Sequence, residues 1–228
     1  MAAGSAAVLA AFIAAAVLFN QEAVDVSGLK SGSVVLPEPN LKGSVSVEEA
    51  LSGRRSRREY RNEPLTLQEL SQLLWSAQGV TAKGGKKTTP SAGATYPLEV
   101  YAVVGDVEGI EPGVYRYIPK GHGIEQTIKG DLRPELSERA LSQSMITDAP
   151  VTLVFTAVYS RTTGRYGDRG IMYVHMEAGH AGQNVYLQAE ALGLGTVAVG
   201  AFNPKAVAEL LRLPEDEEPL YIFPVGRV

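Results

Sequence analysis

Apolar residues recur along this chain in two rhythms, and the places where the rhythm changes divide it into elements. Leu67, Leu70, Leu74 and Ala77 follow helical spacing behind Thr66 and Glu69, which form a capping box. That pattern predicts a helix from Thr66 to Gln78, with Trp75, the only tryptophan, packed in the core. A second capping box, Ser46-Val47-Glu48-Glu49, opens a short helix that ends near Ser52-Gly53. Leu98 to Val104 is β-branched and aromatic, and reads as a strand. Val114 to Ile118 and Ile124 to Ile128 flank Pro119-Lys120-Gly121-His122-Gly123, the pattern of a β-hairpin. Asp131 to Ser144 reads as helical. Val151 to Tyr159 is an unbroken apolar run, as expected of a strand buried on both faces. Ser160 to Gly170 reads as a polar loop.

The longest helix is predicted from about Ile171 to Leu192, with Val174, Ala178, Ala181, Val185 and Ala189 on one face. Glycine inside a helix costs about 1 kcal/mol against alanine, so Gly179 and Gly182 imply a close helix crossing within or between chains. Gly193-Leu194-Gly195 ends the helix, Thr196 to Val199 forms a short buried strand, and Asn203-Pro204 starts a helix running through Leu211. The acidic run Glu215 to Glu218 reads as a solvated loop, and Leu220 to Val225 as the last strand. Strands and helices do not alternate steadily. An α+β domain with a mixed central sheet flanked by helices is therefore expected.

Composition narrows the picture. The 228 residues suffice for a sizeable core, and 45% hydrophobic with 20% charged residues is ordinary for a globular chain. A net charge of −4 argues against a nucleic-acid binder. The absence of cysteine removes disulfides, thiolate nucleophiles and cysteine metal sites. Residues 2–19 carry no charge and are rich in Ala, Val, Leu, Ile and Phe, which favours a membrane-associated segment over a cytoplasmic one. The organisation is then a hydrophobic segment over 1–20 (anchor or signal), a linker or arm over 21–43, and one domain over 44–228. Val34-Val35-Leu36-Pro37 is the part of the arm suited to docking as an extended piece.

Against that charge balance, Arg54-Arg55-Ser56-Arg57-Arg58 concentrates four guanidinium groups and a hydroxyl, which suits phosphate oxygens. Pro90-Ser91-Ala92-Gly93 is a small-residue loop running into a strand, where backbone can approach a flat ligand closely. Gly200-Ala201 follows a buried strand. His175, Glu177 and His180 lack the His-Glu-x-x-His spacing, so no metal site is assigned. The Gly-x-Ser-x-Gly elbow and the phosphate-cradling loop of nucleotide hydrolases are absent. A phosphorylated planar cofactor fits what remains better than hydrolysis does.

Four stretches, in order, carry a resemblance: Arg54 to Arg58; Pro90 to Tyr101; Glu177-Ala178-Gly179-His180-Ala181-Gly182-Gln183-Asn184; and Gly193 to Phe202. From about Val34 onward the chain resembles the nitroreductase-type FMN oxidoreductases, and among them the SagB-type dehydrogenases. The resemblance implies a homodimer with FMN at its interface, the phosphate held by Arg54, Ser56 and Arg58, and Arg227 as a C-terminal phosphate contact. It also implies that Pro90, Ser91, Ala92 and Gly93 meet the flavin from the partner chain, and that Gly200 and Ala201 turn backbone amides toward the ring. Azoline-oxidising members use a Lys-Tyr pair where this chain has Arg165-Tyr166. Arg is a poor general base, leaving Tyr166 as the catalytic candidate. Lys86 and Arg169 are the cations considered for stabilising a reduced ring.

The expected function is hydride transfer between NAD(P)H, or another two-electron donor, and a small planar acceptor such as a quinone or nitro compound. The alternatives are a dehydrogenase of azoline-containing or other modified substrates, and a membrane-associated flavin-binding protein without turnover.

Overall fold

The computed structural model describes residues 29, 30 and 32–228. After a two-residue strand β1 (Val34–Val35), helices α1 (Val47–Gly53) and α2 (Leu67–Gln78) begin at the two predicted capping boxes. In each box the cap hydroxyl accepts the amide three residues on, and the glutamate reaches back to the cap amide. A small hairpin, β2 (Val80–Ala82) and β3 (Lys86–Lys87), follows α2.

The central sheet comprises β1, β4 (Leu98–Val104), β5 (Gly113–Ile118), β6 (Gly123–Lys129), β7 (Val151–Ala157), β8 (Leu194–Thr196) and β9 (Glu218–Arg227). Their order across it is β1-β6-β5-β4-β7-β9-β8, and every ladder is antiparallel. The mixed character expected of the sheet is confined to isolated parallel bridges, Ser56 with Thr196 and Leu65 with Val107.

Both faces of the sheet are covered. On one face Leu70, Leu73 and Leu74 of α2 and Val174, Ala178, Ala181 and Val185 of α6 (Arg169–Ala191) pack on Phe155 and Phe223. On the other, Leu136 of α3 (Arg133–Arg139), Ile146 of α4 (Met145–Asp148) and Val207 and Leu211 of α7 (Pro204–Leu211) pack on Val103, Val154 and Ile222. Burial on both sides explains why β7 is apolar at nearly every position. A Cβ at Gly182 would lie 2.7 Å from Phe223 Cζ, so glycine here serves close approach of α6 to the sheet.

Several expectations are corrected. The helix predicted from Asp131 to Ser144 stops at Arg139, the end of α3; Leu141 and Ser142 beyond it are both left-handed (φ 60° and 57°), and α4 starts only at Met145. Ser160 to Tyr166 is a helix, α5, and not a loop. Trp75 is only half-buried, beside a groove lined by Val45, Val47 and Leu187. Glu217, expected in solvent, is buried against the Thr156 hydroxyl. The membrane-associated segment, residues 2–19, lies outside the described residues, and no described helix is long and apolar enough to cross a membrane. The preference for membrane localisation therefore falls away.

The extended arm docks as expected. Val34 and Val35 pair with Ile124 and Gly123, and Leu36 N–H donates to His122 O (3.0 Å). Ser71 Oγ donates to Pro37 O (2.5 Å), and the His122 ring bridges Ser71, Pro37 and the Tyr117 hydroxyl.

Candidate functional site

Helix α6 organises the site: one cluster of candidate residues lies at each of its ends. At the C-terminal end is Tyr186. Its hydroxyl accepts the Ala198 N–H (2.8 Å) and lies 3.1 Å from Ser56 Oγ, while the Arg54 guanidinium stands over its ring at 5.2 Å. The arginine segment runs alongside β8, fixed by Arg57 N–H to Thr196 O (2.9 Å) and by the Tyr60 hydroxyl donating to Arg57 O and Pro224 O. Gly195 must lack a side chain, because a Cβ there would meet Arg57 Cβ at 2.7 Å.

Beyond β8 the chain bridges to β9 through Val199 and Ile222, then leaves the sheet at Gly200 and Ala201. Both are exposed, and among the described residues neither amide has a hydrogen-bond acceptor. Ala201 O is held by Gln143 Nε2 (2.9 Å). Ser56, Arg57, Arg58, Glu59, Tyr60, Arg61 and Val228 line an open cavity of about 650 Å3. Among the described residues no carboxylate pairs with Arg54, Arg57 or Arg58. Arg227 differs: its guanidinium donates to Glu69 Oε2 (3.1 Å) and lies 3.6 Å from Glu63. It reaches the neighbourhood of the cluster through its backbone, where Arg227 O accepts the Arg61 N–H.

The second cluster lies near the N-terminal end of α6. Thr89 leads into the loop and is tied down on both sides: its hydroxyl donates to Ala77 O (2.6 Å) and accepts from Asn184 Nδ2 (3.2 Å). Ser91 Oγ accepts the Tyr96 N–H (2.9 Å), and Gly93 is left-handed at φ 59°. Helix α5 grips the loop at three points. Arg161 Nη1 donates to Tyr96 O (3.1 Å), Thr162 Oγ1 pairs with Thr95 Oγ1 (2.8 Å), and Arg165 Nη1 donates to Gly93 O (3.2 Å). Arg161 is itself set by Glu99, at 2.7 Å. Tyr166 therefore stands directly over Gly93, edge-on to Tyr173 at 5.2 Å.

The structure thus joins Tyr166 to Pro90–Gly93, and joins Arg54 and Ser56 to the strand leading into Gly200–Ala201. Within one chain it does not join the two clusters to each other. Tyr186 was missed by sequence reading. Its position at the edge of the buried Val185–Ala189 face was the available signal. Of the two candidate cations, Lys86 is exposed on the small hairpin and Arg169 stacks on Tyr173 at 5.7 Å.

Cationic and amide donors gathered at one sheet edge suit a phosphorylated planar redox cofactor, which places the chain among α+β oxidoreductases. The sequence model of the nitroreductase family matches residues 51–227, and the chain belongs to that family. A relative from Methanocaldococcus jannaschii, provisionally named a nitroreductase, is 54% identical over 183 residues, covering 80% of this chain and 91% of the relative. The NAD(P)H-dependent FMN reductase of Bacillus subtilis is 27% identical over 194 residues, covering 79% of this chain and 63% of the relative. A crystal structure from Ralstonia eutropha, also provisionally named a nitroreductase, superposes with a TM-score of 0.75 at 33% identity. That superposition covers 86% of this chain and 89% of the other.

Proposed function

We propose that the protein uses FMN to pass a hydride from NAD(P)H to a small planar acceptor of the quinone or nitro class. The FMN would lie between two copies of the chain. The observation carrying this reading is the Tyr186 hydroxyl, which ties Ser56 and the Ala198 amide together. A phosphate-suited cluster and two amides without acceptors are thereby held in fixed relation, as a phosphate and a ring of one molecule require. FMN supplies the two-electron chemistry; the chain supplies binding, orientation and charge.

The residues fit that group. Arg54, Ser56 and Arg58 offer a cationic, hydroxyl-bearing donor set that no described carboxylate pairs with, Glu59 being the one side-chain carboxylate in the cavity lining. Arg227 joins them on giving up Glu63 or Glu69. Gly200 and Ala201 present N–H groups to the ring edge, where fixed donors stabilise developing negative charge without reorganisation. Pro90, Ser91, Ala92 and Gly93 face the ring of the other copy. Two copies are called for because the two clusters lie at opposite ends of α6. The exposed Met172, Met176 and Gly179 give that helix a slim, partly apolar outer face.

Azoline oxidation is the weaker reading on one observation. Arg165, where the azoline-oxidising branch has its lysine, donates to Gly93 O and stays charged, so it holds the loop and takes no proton. Tyr166 remains the residue placed to give or relay a proton to an acceptor.

Purified protein should be yellow, bleach anaerobically with NADH or NADPH, and regain its absorbance on adding a quinone or nitroarene. FMN-loaded protein that neither nicotinamide reduces would overturn the assignment of donor. Reduced protein that neither acceptor reoxidises would overturn the assignment of acceptor.

A further inference from the structure

Behind the Pro90–Gly93 loop lies a polar cluster that the reaction above leaves unused. Glu177, on the inner face of α6, is 2% exposed, and its Oε1 has no hydrogen-bond partner. Gln78, the last residue of α2, is 1% exposed and its Nε2 is likewise unpartnered. Its Oε1 accepts from Lys87 Nζ (2.9 Å), which fixes which way the amide faces. Lys87 also stands over the Tyr96 ring at 4.9 Å, at the far end of the loop. Two orphaned atoms, one donor and one acceptor, are thus buried behind a loop that α5 and Asn184 hold from other directions. Buried groups of this kind call for a role beyond packing.

We propose that Glu177 is the positioning residue of the Pro90–Gly93 loop, fixing the Ser91 hydroxyl from behind and coupling FMN binding to one proton. This rests on the reading that the loop faces FMN. As a carboxylate, Glu177 has the Ser91 hydroxyl and the Gln78 amide as the donors facing it, and Ser91 Oγ stays free to accept the Tyr96 N–H. Protonated, it carries a donor of its own, which competes with Tyr96 for that oxygen. The groups facing it are Ser91 from the loop, Gln78 from α2 and Lys87 from β3, with Glu99 of β4 and Arg161 of α5 acting on Lys87. Burial pushes Glu177 up, and Ser91, Lys87 and Gln78 pull it partly back, to about 7. The exchange between the two forms falls where cells work.

The test is FMN affinity against pH, from 5.5 to 8.5, for the full chain and for Glu177→Gln and Ser91→Ala. Wild type should bind FMN about three- to tenfold tighter above pH 7 than below it, the span one hydrogen bond commands. Ionisation of the FMN phosphate, at pH about 6, changes affinity alike in all three proteins; both variants should lose the further step that wild type shows near pH 7, and Glu177→Gln should bind at the weaker level throughout. A step near pH 7 surviving in Glu177→Gln would overturn the proposal, as would one surviving in Ser91→Ala; the second variant decides if the first does not fold. Emission of Trp75 in the FMN-free protein gives an independent readout, because Thr88 Oγ1 donates to Trp75 O just ahead of the loop (3.0 Å). It should show a transition near pH 7 that Glu177→Gln removes. Wild type that binds no FMN but keeps this transition would sink the flavin reading alone; absence of the transition would sink the role of Glu177.

Discussion

Replacing Gly93 by alanine isolates the grip of α5 on the loop. Gly93 sits at φ 59°, where a side chain clashes with its own backbone and costs about 1–2 kcal/mol. The new Cβ would also lie 2.5 Å from the Tyr166 hydroxyl and 2.8 Å from Arg165 Nη1, too close for either to stay. Both side chains are partly exposed and can swing away. Little further stability is lost, but the Arg165 bond to Gly93 O goes with them. The expected loss is therefore about 1–2 kcal/mol in denaturant unfolding of the FMN-free protein. FMN affinity should fall about tenfold, because the loop loses one of three fixed points. Adding Tyr166→Phe removes the closest contact and vacates space into which Arg165 can shift while keeping its bond to Gly93 O, but leaves the backbone strain. The double variant should recover part of the FMN affinity and none of the stability. Gly93→Ala binding FMN like wild type would refute the argument. So would a double variant no better than the single one.

Replacing both Arg54 and Arg58 by alanine should weaken FMN binding at least about a hundredfold, at about 1.5–3 kcal/mol per charged contact, with the unfolding midpoint of the FMN-free protein nearly unchanged; equilibrium dialysis reads the first and denaturant unfolding the second. Tyr186→Phe strands the partly buried Ala198 N–H and releases Ser56, so it should cost about 1 kcal/mol of stability and weaken FMN as well. Glu177 carries a proton in the folded protein up to pH about 7 but loses it near 4.5 when unfolded. Between those values the folded state binds more protons, so stability declines as pH rises through the window and levels off above it. Relative to Glu177→Gln, wild type should lose at most about 3 kcal/mol between pH 5 and 8 in urea melts of the FMN-free protein. A difference that is flat or grows the other way would contradict the buried placement of the carboxyl.

The parts of the fold that the sequence declares are those whose stability is local or whose burial is complete. Both capping boxes are self-contained over four residues, so Ser46 with Glu49 and Thr66 with Glu69 mark their helices without help from tertiary structure. Strand β7 is legible because burial on both faces keeps it apolar, and helix α6 because its buried face recurs at helical spacing. Helix α5 is invisible for the opposite reason. Ser160-Arg161-Thr162-Thr163-Gly164-Arg165-Tyr166 has no apolar stripe and no side-chain cap. Its residues are held by bonds to 93–96, which lie more than sixty positions earlier in sequence. The break at Leu141–Ser142 was equally hidden, since neither residue type announces a left-handed conformation. In the site, Arg54 to Arg58 and the small-residue loop stood out by composition. Tyr186 and Glu177 did not, because each acts through partners on other elements. Glu177 drew notice only beside the histidines, as metal-ligand chemistry. Its actual neighbours, Gln78 and Lys87, are 99 and 90 residues away in sequence.

What the two clusters share is the helix between them. Tyr186 and Glu177 are nine positions apart on α6, about 14 Å along the axis, and each fixes a different wall of the proposed site. A rigid helix transmits position but not contact, so a change at one end reaches the other only by shifting α6 against the sheet. Gly182 opposes such a shift, since it lets the helix sit against Phe223 with no room to spare. The two walls should then fail independently: loss of the Arg54–Ser56 cluster removes phosphate affinity and spares the loop's pH step, whereas loss of Glu177 removes the step and spares phosphate affinity. Non-additive behaviour in a combined Arg58→Ala and Glu177→Gln variant would mean that α6 moves as FMN binds. Additivity would mean that the site is assembled from two preset halves.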